Sequence, residues 1–338
     1  MRRTRALAVL AMTVTLLSGG VAHADGGRQR GEDPVAAAKR LAAPGMPAGV
    51  NDWSCRPSPQ KPRPVVLAHG TFTPSAQAWS QLAPVLVRRG FCVYALDYGV
   101  VEGRPGVAGI GPVAESAEQL ATFVEGVRAA TKAPKADLVG YSQGGLMPRY
   151  YLRFLGGAAK VDRLVGVAPD NHGITVAALS NLLQTATGPV AGVISALPDL
   201  EGLLPGIGKL LPRVPALVSE LKKFGNDPLD FLLKGCPACK DQLVGSAFLA
   251  KLNEGHETEP GVRYSVLSSR ADNVGTRPET QALQGVPQWW VQDRCPLSLA
   301  SIPAIAHTVM PYDHVVQHRV TQLLDPAADE ATNCFSRA

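Results

Sequence analysis

Ser142 lies in Gly140-Tyr141-Ser142-Gln143-Gly144, a glycine two residues away on each side. A serine hydroxyl becomes a useful nucleophile only when a base takes its proton and donors receive the negative charge that forms on the attacked oxygen. A sharp strand-to-helix turn can present such a serine, and glycines flank it because side chains there would strike the neighbouring strand and helix. Five residues of this pattern arise often by chance, so the context decides. Residues 136–139 read as a strand leading into Ser142, and 145–155 read as a helix leaving it. Pro148 is expected to kink that helix, because it cannot donate to the carbonyl of Gly144.

The remaining chemistry can be sought by chain order. The N–H of Gln143, directly after the serine, is one oxyanion donor, and the loop after an early strand should supply another. The apolar run Val65-Val66-Leu67-Ala68 ends in His69-Gly70-Thr71. Gly70 permits a close turn that would aim the Thr71 N–H at the reacting oxygen, with the Thr71 hydroxyl as a third donor. His69 precedes Ser142, whereas this arrangement runs serine, acid, histidine, so His69 is read as a buried structural histidine. The acid should follow a downstream strand. Asp272, just beyond the strand at 262–269, is the first choice, and Asp170, after 161–168, is its rival. His172 and His256 precede Asp272, which leaves His307, His314 and His318 as bases. His318 falls inside the last helix. His314 sits at that helix's start, where the positive end of the helix dipole would oppose an imidazolium. His307, placed in a loop before the helix, is favoured.

The elements that must hold these residues alternate. Strands are expected at 65–68, 91–96, 137–141, 161–168, 262–269 and 286–291. Helices are expected at 77–89, 112–132, after Ser142, at 241–253 and at 312–324. This β-α-β alternation predicts an α/β fold with a mostly parallel sheet and helices on both faces. Before it, 25–63 reads as an extended, Pro/Gly/Ala-rich arm with one helix at 34–41. Between its two halves, 172–240 breaks the pattern. There Leu210, Val214, Leu217 and Leu221 share one helix face, which suits helical packing over the sheet or a mobile cap over an apolar site.

The chain has 338 residues and a formal charge of +5. Arg2, Arg3 and Arg5, the apolar run at 6–17, and Ala22-His23-Ala24 read as a secretory leader cleaved after Ala24. The apolar run is too short to span a bilayer. Removing the leader and its three arginines leaves residues 25–338 with a charge of +2, small enough to argue against nucleic-acid binding and polybasic membrane anchoring. No later segment reads as a transmembrane helix, and no metal is expected. The six cysteines, Cys55, Cys92, Cys236, Cys239, Cys295 and Cys334, suit disulfides in an exported chain. Cys236-Pro-Ala-Cys239 has redox or zinc spacing. It lies in a Pro/Gly-rich stretch without further ligands at metal spacing, so a structural bridge is expected.

Taken together, these residues resemble the secreted class 2 lipases of actinobacteria and, more distantly, Candida antarctica lipase B. The similar stretches are 64–71, Ser142-Gln143-Gly144-Gly145-Leu146, 160–164 through Ala168-Pro169-Asp170, the strand and turn through Asp272, and Cys295 through the last helix. The chain differs in having Asn273-Val274-Gly275 after the acid and Ala306 before the histidine. The resemblance implies an α/β-hydrolase fold and a lipase or esterase that needs no cofactor. It places the nucleophile at Ser142, the acid at Asp272, the base at His307 and the oxyanion donors at Thr71 and Gln143. It also implies a Cys295–Cys334 pairing. Expected substrates are acyl esters or triacylglycerols, met in part at a lipid–water interface. Acyl transfer, polyester cleavage with the same residues, and a non-catalytic binding protein on a hydrolase scaffold are the alternatives.

Overall fold

Strands β1 (Val65–Ala68), β2 (Val93–Leu96) and β3 (Ala136–Tyr141) are buried at every position. Successive strand residues point to opposite faces, so such strands need cover on both sides. The computed structural model, which describes residues 32–102, 106–175, 235–272, 274, 278–303, 305–325, 327 and 331–335, supplies it. With β4 (Val161–Val167), β5 (Arg263–Ser268) and β6 (Gln288–Trp290), these strands form a six-stranded sheet in the order β2-β1-β3-β4-β5-β6. Every pairing is parallel.

On one face, Val66, Tyr94, Leu96, Leu138 and Leu164 meet Leu120, Phe123, Val124 and Val127 of α4 (Val113–Thr131). Helix α1 (Pro34–Leu41) lies against α4. Gly126 permits this approach: a Cβ there would come within 2.2 Å of Ala38 Cβ. On the other face, Val65, Leu67, Val93, Val139 and Val165 pack with Leu82 and Leu86 and with Val316, Val320 and Leu324 of the last helix. The segment between α1 and β1 is tied to the sheet edge by bridges Ala42–Leu96 and Val50–Val93 and by the Cys55–Cys92 disulfide.

Two expected helices are each divided. In place of one helix over 77–89 there are α2 (Ser75–Ala78) and α3 (Leu82–Arg88). Pro84 falls in the first turn of α3, where its missing N–H has no intrahelical role, whereas a continuous helix would have carried it in the interior. Likewise α6 (Pro237–Asp241) and α7 (Ala247–Leu252) replace 241–253. Gly245, at φ +82°, breaks the chain, and Ser246 then caps α7 by accepting the Leu249 N–H at 3.1 Å. Helix α5 (Gln143–Phe154) follows β3 directly, and α8 (Ala306–Val309) precedes α9 (His314–Leu324). The leader and most of the 172–240 insertion, including the face built by Leu210, Val214, Leu217 and Leu221, lie outside the described residues.

The sheet order puts β1 beside β3, with β2 on one side and the later strands on the other. Ligands of open α/β sheets bind at the carboxyl ends of strands where the order reverses in this way. Thr71 follows β1, Ser142 follows β3, Asp170 follows β4 and Asp272 follows β5, so four strand ends deliver four of the chemically interesting residues to one edge.

Candidate active site

The turn at Ser142 is sterically demanding. A Cβ on Gly140 would stand 1.7 Å from the Gly144 carbonyl oxygen, and one on Gly144 would stand 2.1 Å from the Ala68 carbonyl oxygen. Only glycine lets α5 start so close to the end of β1. Ser142 itself adopts φ +54°, ψ −123°, an unfavourable conformation for a side-chain-bearing residue that is held here by close packing. Pro148 sits within α5, which runs unbroken through it.

Ser142 Oγ lies 3.1 Å from His307 Nε2, and His307 Nδ1 lies 2.8 Å from Asp272 Oδ2. All three side chains are buried. Asp272 also accepts the Val274 N–H at 3.0 Å and a Gln281 Nε2–H at 2.8 Å. Burial alone would raise the Asp272 carboxyl. The charge and hydrogen bond of His307, together with those two donors, hold it below its ordinary value. Burial would depress His307, but the Asp272 carboxylate outweighs it and raises the imidazole. An ionised Asp272 thus fixes the Nδ1–H tautomer and leaves Nε2 free to accept the serine proton. His307 lies in the one-turn helix α8 rather than in open loop, and Tyr141 Oη donates to its carbonyl at 3.1 Å.

The other candidates are placed elsewhere. His314 is exposed, and its Nε2 lies 2.9 Å from the Cys334 carbonyl. His318 is buried in α9 beside Thr332 Oγ1 at 3.0 Å. His69 is fully buried and stacks on Tyr98 at 4.0 Å. Its Nδ1–H donates to the Gly70 carbonyl at 2.8 Å, and its Nε2 accepts the Tyr98 N–H at 3.2 Å. Burial lowers its pKa, and its contacts support the 69–71 loop. Thr71 Oγ1 lies beside the amide of Gln143, and Gly70 approaches Ser142 closely enough that a Cβ there would sit 3.1 Å from the serine Cβ.

Asp170, the rival acid, does not reach the distal side of His307. It reaches Ser142 instead: Ser142 Oγ lies 3.0 Å from Asp170 Oδ2, while Asp170 Oδ1 is buried with no partner among the described residues. Nothing in the local sequence signals this contact, which follows from β3 and β4 being neighbours. Burial, reinforced by the charge of Asp272, raises Asp170 to about 6 against the pull of His307 and the serine hydrogen bond. Because the folded value lies above the unfolded one, the folded chain holds this proton more tightly. Its contribution to stability is complete below about pH 4 and is lost as pH rises through 6. Asp170→Asn is therefore expected to gain about 2–3 kcal/mol over the wild type on going from pH 4 to pH 7.5. Urea denaturation at both pH values checks this, and an unchanged difference between the two proteins would refute it.

The six cysteines form Cys55–Cys92, Cys236–Cys239 and Cys295–Cys334. Among the described residues no helix is long and apolar enough to cross a membrane.

A parallel sheet ending in a glycine-flanked serine, with a histidine and a buried carboxylate in line behind it, defines an α/β-hydrolase-type protein, and the comparisons agree. A fungal lipase structure, lipase B of Aspergillus fumigatus, superimposes with a TM-score of 0.52 at 16% identity, covering 88% of this chain and 62% of that one, a likeness of fold. Residues 62–287 match the lipase (class 2) family model, and the chain belongs to that family. Triacylglycerol lipases of Pseudarthrobacter phenanthrenivorans and Burkholderia plantarii are each 36% identical over 92 residues, 26% of this chain. The matched segment spans 27% and 24% of those proteins, about a quarter of their length.

Proposed function

We propose that the chain is an exported serine hydrolase that cleaves carboxylic esters, with acyl esters or triacylglycerols as substrates. The observation that carries this reading is the buried line from Ser142 Oγ through His307 to Asp272, set at a strained turn. Ser142 attacks the ester carbonyl while His307 takes its proton. The N–H groups of Thr71 and Gln143, with the Thr71 hydroxyl, receive the oxyanion. His307 then gives the proton to the leaving alcohol, forming an acyl-enzyme, and water repeats the sequence to release the acid. Asp272 keeps the imidazole oriented and stabilises its charged form. The similarity to two triacylglycerol lipases supports triacylglycerol as the substrate class. The leader-like N-terminus and three disulfides support export.

A fluorophosphonate probe tests the chemistry directly. The folded chain is expected to take up one equivalent at Ser142, located by peptide mass spectrometry, and to lose p-nitrophenyl ester hydrolysis in step. Labelling elsewhere, or none while the ester is turned over, would refute the assignment.

A further inference from the structure

Cys236-Pro-Ala-Cys239 has no part in the chemistry just described, yet it stands next to it. Its disulfide closes around the start of α6, with Cys236 Sγ accepting the Cys239 N–H at 3.1 Å. The Ala238 N–H donates to the Ile110 carbonyl at 3.1 Å, docking this turn on the loop that faces Thr71. The Ala238 carbonyl accepts both the backbone N–H of Gln242, at 3.0 Å, and its Nε2–H, at 2.9 Å. The second hydrogen of that amide reaches Thr71 Oγ1 at 3.1 Å. From the opposite side, Gln143 Nε2 donates to Thr71 Oγ1 at 3.1 Å and to the Gly109 carbonyl at 3.0 Å. A closed ring of hydrogen bonds thus runs from Thr71 through Gln242, Ala238, the 109–110 loop and Gln143 back to Thr71. Gln242 and Gln143 are both buried.

Counting donors decides what the ring does. A threonine hydroxyl has two lone pairs and one proton. Both lone pairs of Thr71 accept, one from each glutamine amide, and each amide spends its other hydrogen on a backbone carbonyl. The single proton is left with Gln242 Oε1 at 3.2 Å, the longest contact in the ring. A neutral amide oxygen at that distance is a weak holder, and an oxyanion is a stronger acceptor.

We propose that Gln242, braced by the Cys236–Cys239 disulfide, is a positioning residue that orients the Thr71 hydroxyl so that its proton swings from Gln242 Oε1 to the oxyanion as charge develops there. This rests on the hydrolase reading above and deepens it by giving the disulfide turn a task. The brace acts only through Thr71. Its loss therefore weakens transition-state stabilisation and leaves ground-state binding alone.

A double-mutant cycle on p-nitrophenyl ester hydrolysis by the full chain tests this. Thr71→Val, which keeps the shape and removes the hydroxyl, is expected to lower kcat about 100-fold. Gln242→Met, which keeps the length and removes the amide, should lower kcat about 10-fold with KM within twofold. The Cys236→Ala/Cys239→Ala pair should lower kcat similarly. In the Thr71→Val background both further changes should cost nothing, because the group they orient is gone. Equal losses in the two backgrounds, or an unchanged kcat with only a lowered melting temperature, would overturn the proposal. A wild-type chain that neither turns over ester nor takes up fluorophosphonate would overturn the hydrolase reading as well, which separates the two failures.

Discussion

Ser142→Ala is expected to lower kcat for a short-chain p-nitrophenyl ester by roughly 10⁵-fold while leaving the chain folded. Two effects combine. Alanine has no atom to form the acyl bond, so any residual turnover must use water held near the oxyanion donors. The same change strips His307 of the serine proton it would relay, so the base loses the group that it activates. Folding should survive, because the hydroxyl is small and its removal relieves the crowding of three polar groups around one proton. The fold of Ser142→Ala is checked by circular dichroism and its turnover by p-nitrophenol release. Turnover within tenfold of wild type in a folded variant would remove Ser142 from the mechanism.

His307→Ala and His314→Ala should separate by about four orders of magnitude in kcat. His307 is buried between Ser142 and Asp272, and its loss leaves Ser142 without a base and Asp272 without the imidazole that it orients. His314 lies at the first position of α9, exposed, with its Nε2 at hydrogen-bonding distance from the Cys334 carbonyl. Its removal should leave turnover within about twofold. The pH profile gives an independent reading. Asp272 raises His307 above the ordinary imidazole value, so the rise of kcat/KM with pH should follow a group titrating above that value. In Asp272→Asn the rise should move to lower pH while the maximum falls. A His314→Ala enzyme as inactive as Ser142→Ala would reverse the assignment of the base.

The residues proposed to carry the chemistry, and the strands that hold them, are legible in the chain because their constraints are local. A glycine two places either side of Ser142 is demanded by a turn that folds on itself. Apolar runs such as Val65-Val66-Leu67-Ala68 are demanded by burial of both sheet faces. The order serine, acid, histidine left Asp272 and His307 as first choices, and the helix-dipole argument set His314 aside. Boundaries were less legible where a single residue breaks a helical pattern. Pro84 and Gly245 each divide what periodicity joins, because periodicity counts apolar residues and is blind to one missing N–H or one positive φ.

Tertiary structure alone decided the contacts made by residues far apart in the chain. Asp170 reaches Ser142 because β4 pairs with β3, a register that strand composition does not specify. Gln242 reaches Thr71 across 171 residues, through a turn docked on the 109–110 loop. Gln281 reaches Asp272 from a short 3₁₀ helix. A polar side chain of ordinary type carries no pattern of its own, and its partner is set by the packing of elements that meet only once the sheet is assembled. Ser142 was thus legible from its five-residue turn together with the strand and helix expected on either side of it, whereas the proton count around its hydroxyl, and the brace around Thr71, belong to the fold.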